Sequence, residues 1–356
     1  MSHKLVTILM PVHNSENFVP EAVESILRQS FGNFEFVIIN DGSTDTTVSK
    51  LKQYSDHRIV LVDQAHEGLI ATLNRGLEIA QGDYVAIMHA DDVAHPKRIK
   101  KQVAFLEAYP DVGILGCAYE VIGPTGRRMY RVDMPEDDLN VRWDCMLSSP
   151  FGHPTVMMRQ EMLKKYLLRY EAKFDIVEDY YLWSKVLRVA RGANLRTPLL
   201  RYRVHPKSRT GKFRIEQLAQ QDQIALICIR QFLPGFEITI DQVSGLRGLF
   251  IGGGEFVPDL ANRRIILGHL YLDMLAAYLS ISQAGRSGDI LRRKFILRVA
   301  CLVLPAPTLP GRDVIIQRLM DMEPAFPVMV RWNAIKQRIN LSDRLYQWSS
   351  AFQYGS

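Results

Sequence analysis

From Lys4 to Ile122, continuous apolar runs alternate with segments of helical spacing, and this rhythm constrains the fold more than any other feature of the chain. KLVTILMPV, FEFVIIN, RIVLVD, DYVAIMHA and VGILGCAYEVI are too evenly apolar to keep one face wet, so each reads as a strand covered on both faces. Between them, VPEAVESILRQS puts Val19, Ala22, Val23, Ile26 and Leu27 on one helical face. TDTTVSKLKQYS is a short helix opened by Asp and Thr. GLIATLNRGLEIAQG is a helix closed by Gly82, and HPKRIKKQVAFLEAYP carries Pro96 in its first turn. Strand–helix alternation of this kind predicts an α/β fold with a largely parallel sheet and helices on both faces. Such sheets bind ligands beyond the carboxyl ends of their strands.

After Gly123 the rhythm changes. TGRRMYRV reads as a hairpin arm, HPTVMMR as a strand, EDYYLWSKVLRVA as a helix and LRTPLLRYRVH as a strand. Beyond about Lys207 the pattern is helical, with breaks at FIGGGEFVPD and LPAPTLPG, so residues 1–207 and 208–356 are expected to form separate regions. A net charge of +6 suits an anionic substrate or an anionic membrane surface and is too weak to indicate nucleic acid. The four cysteines form no CxxC pair, and the N-terminus enters a strand too early for a signal peptide, so a reducing cytoplasm is expected. Two apolar stretches, Ile265 to Ile281 with His269 and Asp273, and Phe295 to Leu304 with Arg298, read as buried or interfacial helices. Arg292, Arg293 and Lys294 beside the second suggest peripheral contact with the cytoplasmic face of a membrane, against the alternative that the run packs as core.

The candidate chemistry begins with an absence. Neither GxxxxGK[ST] nor GxGxxG follows the first strand, where Pro11-Val12-His13-Asn14 stands instead. A bound pyrophosphate then needs another source of positive charge. Asp91 and Asp92, at the end of DYVAIMHA, can hold Mg²⁺ or Mn²⁺ that bridges diphosphate oxygens, or one of them can simply cap the next helix. Asp41 follows FEFVIIN directly, and Gly42 permits a sharp turn. Its carboxylate can accept from a base N–H or a ribose hydroxyl, unless the segment is a plain turn. In VEDYYLW, neighbours on a helix point about 100° apart, so only one of Glu178 and Asp179 faces a cleft. Asp179 lies one turn before Trp183, at the start of the apolar stripe, and reads as the inward member. The helix dipole there favours its charge, which suits a general base or a purely electrostatic role. Arg201, Arg203 and His205 share one face of LLRYRVH and read as an anion-binding surface. His153 lines a site or shapes a turn.

In order and spacing, TILMPVHN, VIINDGSTD, LNRGLEIAQGDYVAIMHADD, GHPTVMMR, VEDYYLW and YRVH resemble the family 2 glycosyltransferases, inverting nucleotide-sugar enzymes of the GT-A fold. The resemblance covers roughly residues 4–210 and implies one Rossmann-like catalytic domain with a divalent cation as cofactor. It implies that Pro11, Val12, His13, Asn14 and Asp41 surround the base and ribose and that Asn74 and Arg75 flank the nucleotide. Ala90, Asp91 and Asp92 would line the diphosphate, Asp91 and His205 would hold Mn²⁺ or Mg²⁺, and Asp179 would be the catalytic base. The implied reaction moves a sugar from a UDP- or dTDP-linked donor to a hydroxyl of a glycan or lipid-linked acceptor in cell-surface polysaccharide synthesis. One position departs: His89 stands where the family usually has the first carboxylate of its Asp-Ala-Asp-Asp segment. Two other readings are a catalytically inactive nucleotide-sugar-binding protein, favoured by His89, and a sugar-phosphate nucleotidyltransferase, disfavoured by the lack of a Gly-rich basic loop.

Overall fold

The computed structural model describes residues 4–206, 214–252, 259–282, 285–304, 310–326 and 329. Of the breaks expected at 250–259 and 304–311, residues 253–258 and 305–309 lie outside the described residues, as does Lys207. The chain divides into two compact units, Met1–Cys145 with Ser149–Ser208, and Met146–Ser148 with Arg209–Ser356.

In the first unit, β1 (Val6–Val12), β2 (Phe34–Asp41), β3 (Ile59–Gln64) and β4 (Tyr84–Ile87) pair in parallel in the order β3-β2-β1-β4. The apolar runs explain the burial. β1, β2 and β4 are almost wholly buried, while β3, on the sheet edge, alternates and leaves Val60 exposed. Three helices connect them: α1 (Val19–Leu27), α2 (Thr47–Leu51) and α3 (Leu69–Ile79). α3 lies so close to β1 that a Cβ on Gly76 would sit 2.1 Å from Leu9 Cδ1, so a side chain there would force the buried Leu9 to shift.

The sheet continues through β8 (Met157–Arg159), β6 (Val112–Ile122), β9 (Arg191–Arg203) and β5 (Val93–Ala94), with β7 (Arg128–Val132) paired to β6. Here β6 and β9 are parallel and the other pairings antiparallel, which gives a mixed α/β sheet. α4 (Arg98–Ala108), α5 (Asp138–Cys145), α6 (Gln160–Lys165) and α7 (Glu178–Val189) complete the unit. The strand expected over 83–90 stops at Ile87 and turns, and HPTVMMR opens as a 3-10 turn at His153–Thr155 before β8. The β6–β9 register jumps from Cys117↔Leu195 to Tyr119↔Leu200, across Pro198, which has no N–H to donate. Neither α5, α6 nor β5 stood out in the sequence, because each is short and carries too few periods to register.

The second unit is helical: α8 (Arg214–Phe232), α9 (Ile240–Phe250), α10 (Leu260–Ser282), α11 (Gly285–Val303) and α12 (Arg312–Met322). α9 opens on a capping box, in which the Thr239 hydroxyl accepts from Gln242 N–H and the Gln242 side chain accepts from Thr239 N–H. Phe250 stacks on Tyr271, whose ring meets Phe295 edge-on. Phe295, Ile296, Val299 and Ala300 are buried, and Arg292 and Arg293 approach Glu323 at 3.7 and 3.0 Å. The described part of the Phe295 run therefore packs as core, the plainer of its two readings. Within α10, Arg263–Ser282 is long and apolar enough to cross a membrane by length and composition.

Candidate active site

β1 lies between β2 and β4, so the chain leaves its carboxyl end toward one side of the sheet and returns on the other. That switch point opens a crevice beyond the ends of β1, β2 and β4. Three sequence-predicted segments end there: Pro11 to Asn14 after β1, Asp41 closing β2, and His89 to Asp92 after β4.

Asp41 is buried, at 3% exposure, and its carboxylate is fully engaged. It accepts from Gln64 Nε2 at 2.8 Å, Glu67 N–H at 2.8 Å and Gly68 N–H at 3.0 Å, with His66 Nδ1 2.9 Å away. Burial opposes its charge, but these donors and the imidazole hold the carboxyl below its ordinary range. Arg75 stands behind the network, donating to Gln64 Oε1 at 2.9 Å. His13 and His66 each donate from Nδ1 to the Asp41 carbonyl, and their rings stack at 4.2 Å. Gly42 has φ 65°, and a Cβ on it would lie 2.7 Å from His66 N, so a side chain there would displace His66. Asn14, at φ 47°, accepts from Thr44 N–H and stitches the β1 loop to the β2 loop. His66 and Gln64 escaped the sequence reading because nothing local marks them; only the parallel β2–β3 register brings them beside Asp41.

Asp91 and His205 meet as expected, with His205 Nε2 3.1 Å from Asp91 Oδ2. Asp92 is deeper, at 1% exposure, where its Oδ1 accepts Arg203 N–H at 2.8 Å. Burial and then the charge of Asp91 push the Asp92 carboxyl well above its usual range. Burial opposes the charge of Asp91 too, but the His205 bond and the neighbouring imidazoles hold that carboxyl low. Burial pushes the His89 imidazole down. His89 Nε2 lies 3.2 Å from His153 Nδ1, and His153 Nε2 lies 2.8 Å from Tyr170 Oη. His153 thus opens the 3-10 turn and also contacts His89.

Several residues sit differently from expectation. The Val12 and Ala90 side chains belong to the hydrophobic core, so each offers the crevice only its main chain. Both ends of the Asn74 amide bind the Tyr170 main chain, at 3.0 Å each, so this side chain anchors Tyr170. The anion-binding face of β9 does not form as read. Arg203 is 2% exposed and donates to the carbonyls of Asp91, Gly123 and Pro124 and to Glu21, while Arg201 donates to Gly126 O. Alternation gave the face correctly but not the carbonyls opposite it. At the start of α7, Glu178 is the buried member at 6% exposure and Asp179 is half-buried, because Tyr180, Leu182, Trp183 and Ser184 bury a broad arc of the helix. Half-burial leaves Asp179 reachable. Its Oδ1 accepts Tyr180 N–H at 2.7 Å. Its charge is felt by Tyr170, which joins the His153 chain, and by Tyr119, which also feels Asp92.

A divalent cation fits this donor set. Ligating atoms of His89, Asp91 and Asp92 lie within 4.8 Å of one another, and the buried Asp92 Oδ2 has no hydrogen-bond partner. A buried carboxylate oxygen left without a donor calls for an ion or a proton.

Residues 7–167 match the family model described as Glycosyl transferase family 2. The chain is 30% identical over 283 residues to an uncharacterized glycosyltransferase of Haemophilus influenzae, covering 76% of this chain and 86% of that protein. It is 29% identical over 241 residues to the O-antigen biosynthesis glycosyltransferase WbnJ of Escherichia coli, covering 66% of this chain and 91% of WbnJ. Among solved structures, S. aureus TarS 1-349 in complex with UDP-GlcNAc superimposes with a TM-score of 0.56 at 19% identity, covering 91% of each chain, a likeness of fold.

Proposed function

The chain belongs to glycosyltransferase family 2, and from that premise we propose that it transfers a sugar, with inversion, from a UDP- or dTDP-linked donor to a hydroxyl of a glycan or lipid-linked acceptor. The reading rests above all on the convergence of the Asp41 network and the Asp91–His205 pair beyond the ends of β2 and β4. The first is a pocket of fixed polar groups beside stacked imidazoles, suited to a base and ribose. The second is a carboxylate-rich mouth suited to a cation-neutralised diphosphate. UDP-GlcNAc in the TarS complex and the O-antigen role named for WbnJ support a nucleotide-sugar donor and a polysaccharide product.

In this mechanism Asp179 takes the proton of the acceptor hydroxyl, and the oxygen attacks the anomeric carbon opposite the nucleoside diphosphate. Asp91 and His205, the pair that meets at 3.1 Å, would hold Mn²⁺ or Mg²⁺ with Asp92 beside them, and the ion when bound would neutralise charge on the leaving diphosphate. The Asp41 carboxylate, fixed by two main-chain N–H groups and Gln64, orients the nucleoside.

The test is a thermal-shift panel of UDP, dTDP, GDP and their sugars with and without MnCl₂, since a ligand of the native state raises its melting temperature. UDP or dTDP ligands should raise it, and more so with Mn²⁺. Asp91→Asn should remove the Mn²⁺-dependent part while retaining the unliganded melting temperature. Stabilisation by GDP ligands alone would reject the donor assignment.

A lipid-linked acceptor places the protein at the cytoplasmic face of a membrane. Ile266, Ile281 and Ile290 are exposed on α10 and α11 and would supply the apolar contact, in a chain of net charge +6. Flotation with anionic vesicles, reversed by high salt, is the expected result. Absence of flotation on vesicles of either charge would make the protein a soluble partner of its acceptor.

A further inference from the structure

We infer that the cation of this site takes a nitrogen ligand, His89 Nδ1, beside the carboxylates of Asp91 and Asp92, and that the site thereby favours Mn²⁺ and later first-row ions over Mg²⁺. This deepens the cation reading above and rests on it.

The gap between His89 and Asp92 is the first observation. His89 Nδ1 lies 3.7 Å from Asp92 Oδ2, too far for a hydrogen bond. Two atoms bound at about 2.0–2.2 Å to one ion lie roughly 3–4 Å apart. Asp92 Oδ2 is buried and has no hydrogen-bond partner, although Oδ1 of the same carboxylate is held by Arg203 N–H. The carboxylate is thus fixed through Oδ1, with Oδ2 3.7 Å from the imidazole Nδ1.

The second observation is the chain behind His89. If His89 Nε2–H donates to His153 Nδ1, then His153 Nε2–H donates to Tyr170 Oη, and each contact in the series is satisfied. This arrangement leaves the lone pair of His89 Nδ1 facing Asp92. The reverse arrangement puts a proton on Nδ1, and Asp92 Oδ2, at 3.7 Å, lies beyond hydrogen-bond reach of it. Metal-bound imidazoles characteristically donate their other N–H to such a fixed partner, which sets ring and tautomer. Tyr170 is itself anchored by both ends of Asn74, so the chain reaches back to α3.

The chemistry follows from the ligand type. Mg²⁺ requires hard oxygen donors in near-ideal octahedral geometry and dehydrates reluctantly, whereas imidazole suits first-row ions, for which the affinity of a mixed nitrogen–oxygen site rises from Mn²⁺ onward. Replacing a carboxylate by His89 removes one negative charge and adds a nitrogen, and both changes act against Mg²⁺ more than against Mn²⁺.

The experiment uses the full chain with MnCl₂ or MgCl₂ alone, by calorimetry, and pulsed electron paramagnetic resonance of bound Mn²⁺ to detect coupled imidazole nitrogen. His205 is the other imidazole near Asp91, so the nitrogen signal is read in His205→Ala as well. We expect the signal to persist in His205→Ala and to vanish in the His89→Asp/His205→Ala pair. His89→Asp should lower the preference for Mn²⁺ over Mg²⁺ by tenfold or more. His153→Leu should weaken Mn²⁺ binding by about 10–100-fold, with the melting temperature checking the fold. Loss of the nitrogen signal in His205→Ala alone, or an unchanged Mn²⁺/Mg²⁺ ratio in His89→Asp, overturns the nitrogen ligand and leaves the cation reading intact. Failure of the wild-type protein to bind either ion overturns both.

Discussion

Asp179→Asn is expected to lower the rate of sugar transfer by about 10²–10⁴-fold, the usual cost of removing a general base, while UDP binding stays within twofold. The carboxylate occupies the second position of α7, where the unpaired N–H groups of the helix favour negative charge. Its Oδ1 accepts Tyr180 N–H, a main-chain contact within the same helix turn. An amide can keep that bond and that shape but cannot take the acceptor proton. The proposed donor site is built on Asp41 and Asp91, which lie on other elements, so binding and rate should separate. Glu178→Gln is the contrast. Glu178 is buried, so the change should cost stability and alter the rate less than tenfold. Near-normal transfer by Asp179→Asn, with a collapse in Glu178→Gln, would move the base one residue back.

The parts of this fold that were legible are those written in local periodicity. β1, β2 and β4 are continuous apolar runs because helices cover both faces, and the same order fixes Asp41 and Asp91 at strand ends. Legibility fails where a side chain's role depends on what lies opposite. Arg203 sits on the face that alternation assigns it, yet its guanidinium binds carbonyls of Asp91, Gly123 and Pro124, contacts that no spacing encodes. Asn74 is within the expected helix but binds a main chain 96 residues away. His89 was visible as a departure, but its pairing with His153 spans 64 residues and depends on β4 and β8 being sheet neighbours. The choice between Glu178 and Asp179 turned on the width of the buried arc, which a helical wheel drawn from one stripe underestimates.

Arg98→Met is expected to destabilise the first unit by on the order of 3–5 kcal/mol, although Arg98 touches no proposed substrate atom. Its side chain is wholly buried, and burial lowers its pKa to about 10, so it remains charged at neutral pH. The need for it arises where β4 ends. Ile87 N–H still donates to Val156 O, but beyond this point the β4–β8 ladder stops and carbonyls are left facing the interior. Arg98 Nη2 donates to Ile87 O at 2.8 Å and reaches Val156 O at 3.4 Å, while Nε donates to Gln102 Oε1 at 3.1 Å. Gln102 passes the network on to Thr155 O and Leu115 O. The guanidinium thus closes the sheet end from which His89, Asp91 and Asp92 project, and its charge opposes the combined effect of burial and Asp91 on Asp92. Methionine fills similar space but leaves Ile87 O without its Arg98 donor and Asp92 with Arg203 alone of its two buried cations. Arg98→Lys keeps the charge but replaces a planar fork by a point donor, so it should fall between the two. Denaturant unfolding followed by tryptophan fluorescence reads the difference, with Trp143 and Trp183 both buried in this unit. A loss below about 1 kcal/mol for Arg98→Met would mean that water reaches the end of β4, and that the carbonyls there do not depend on Arg98.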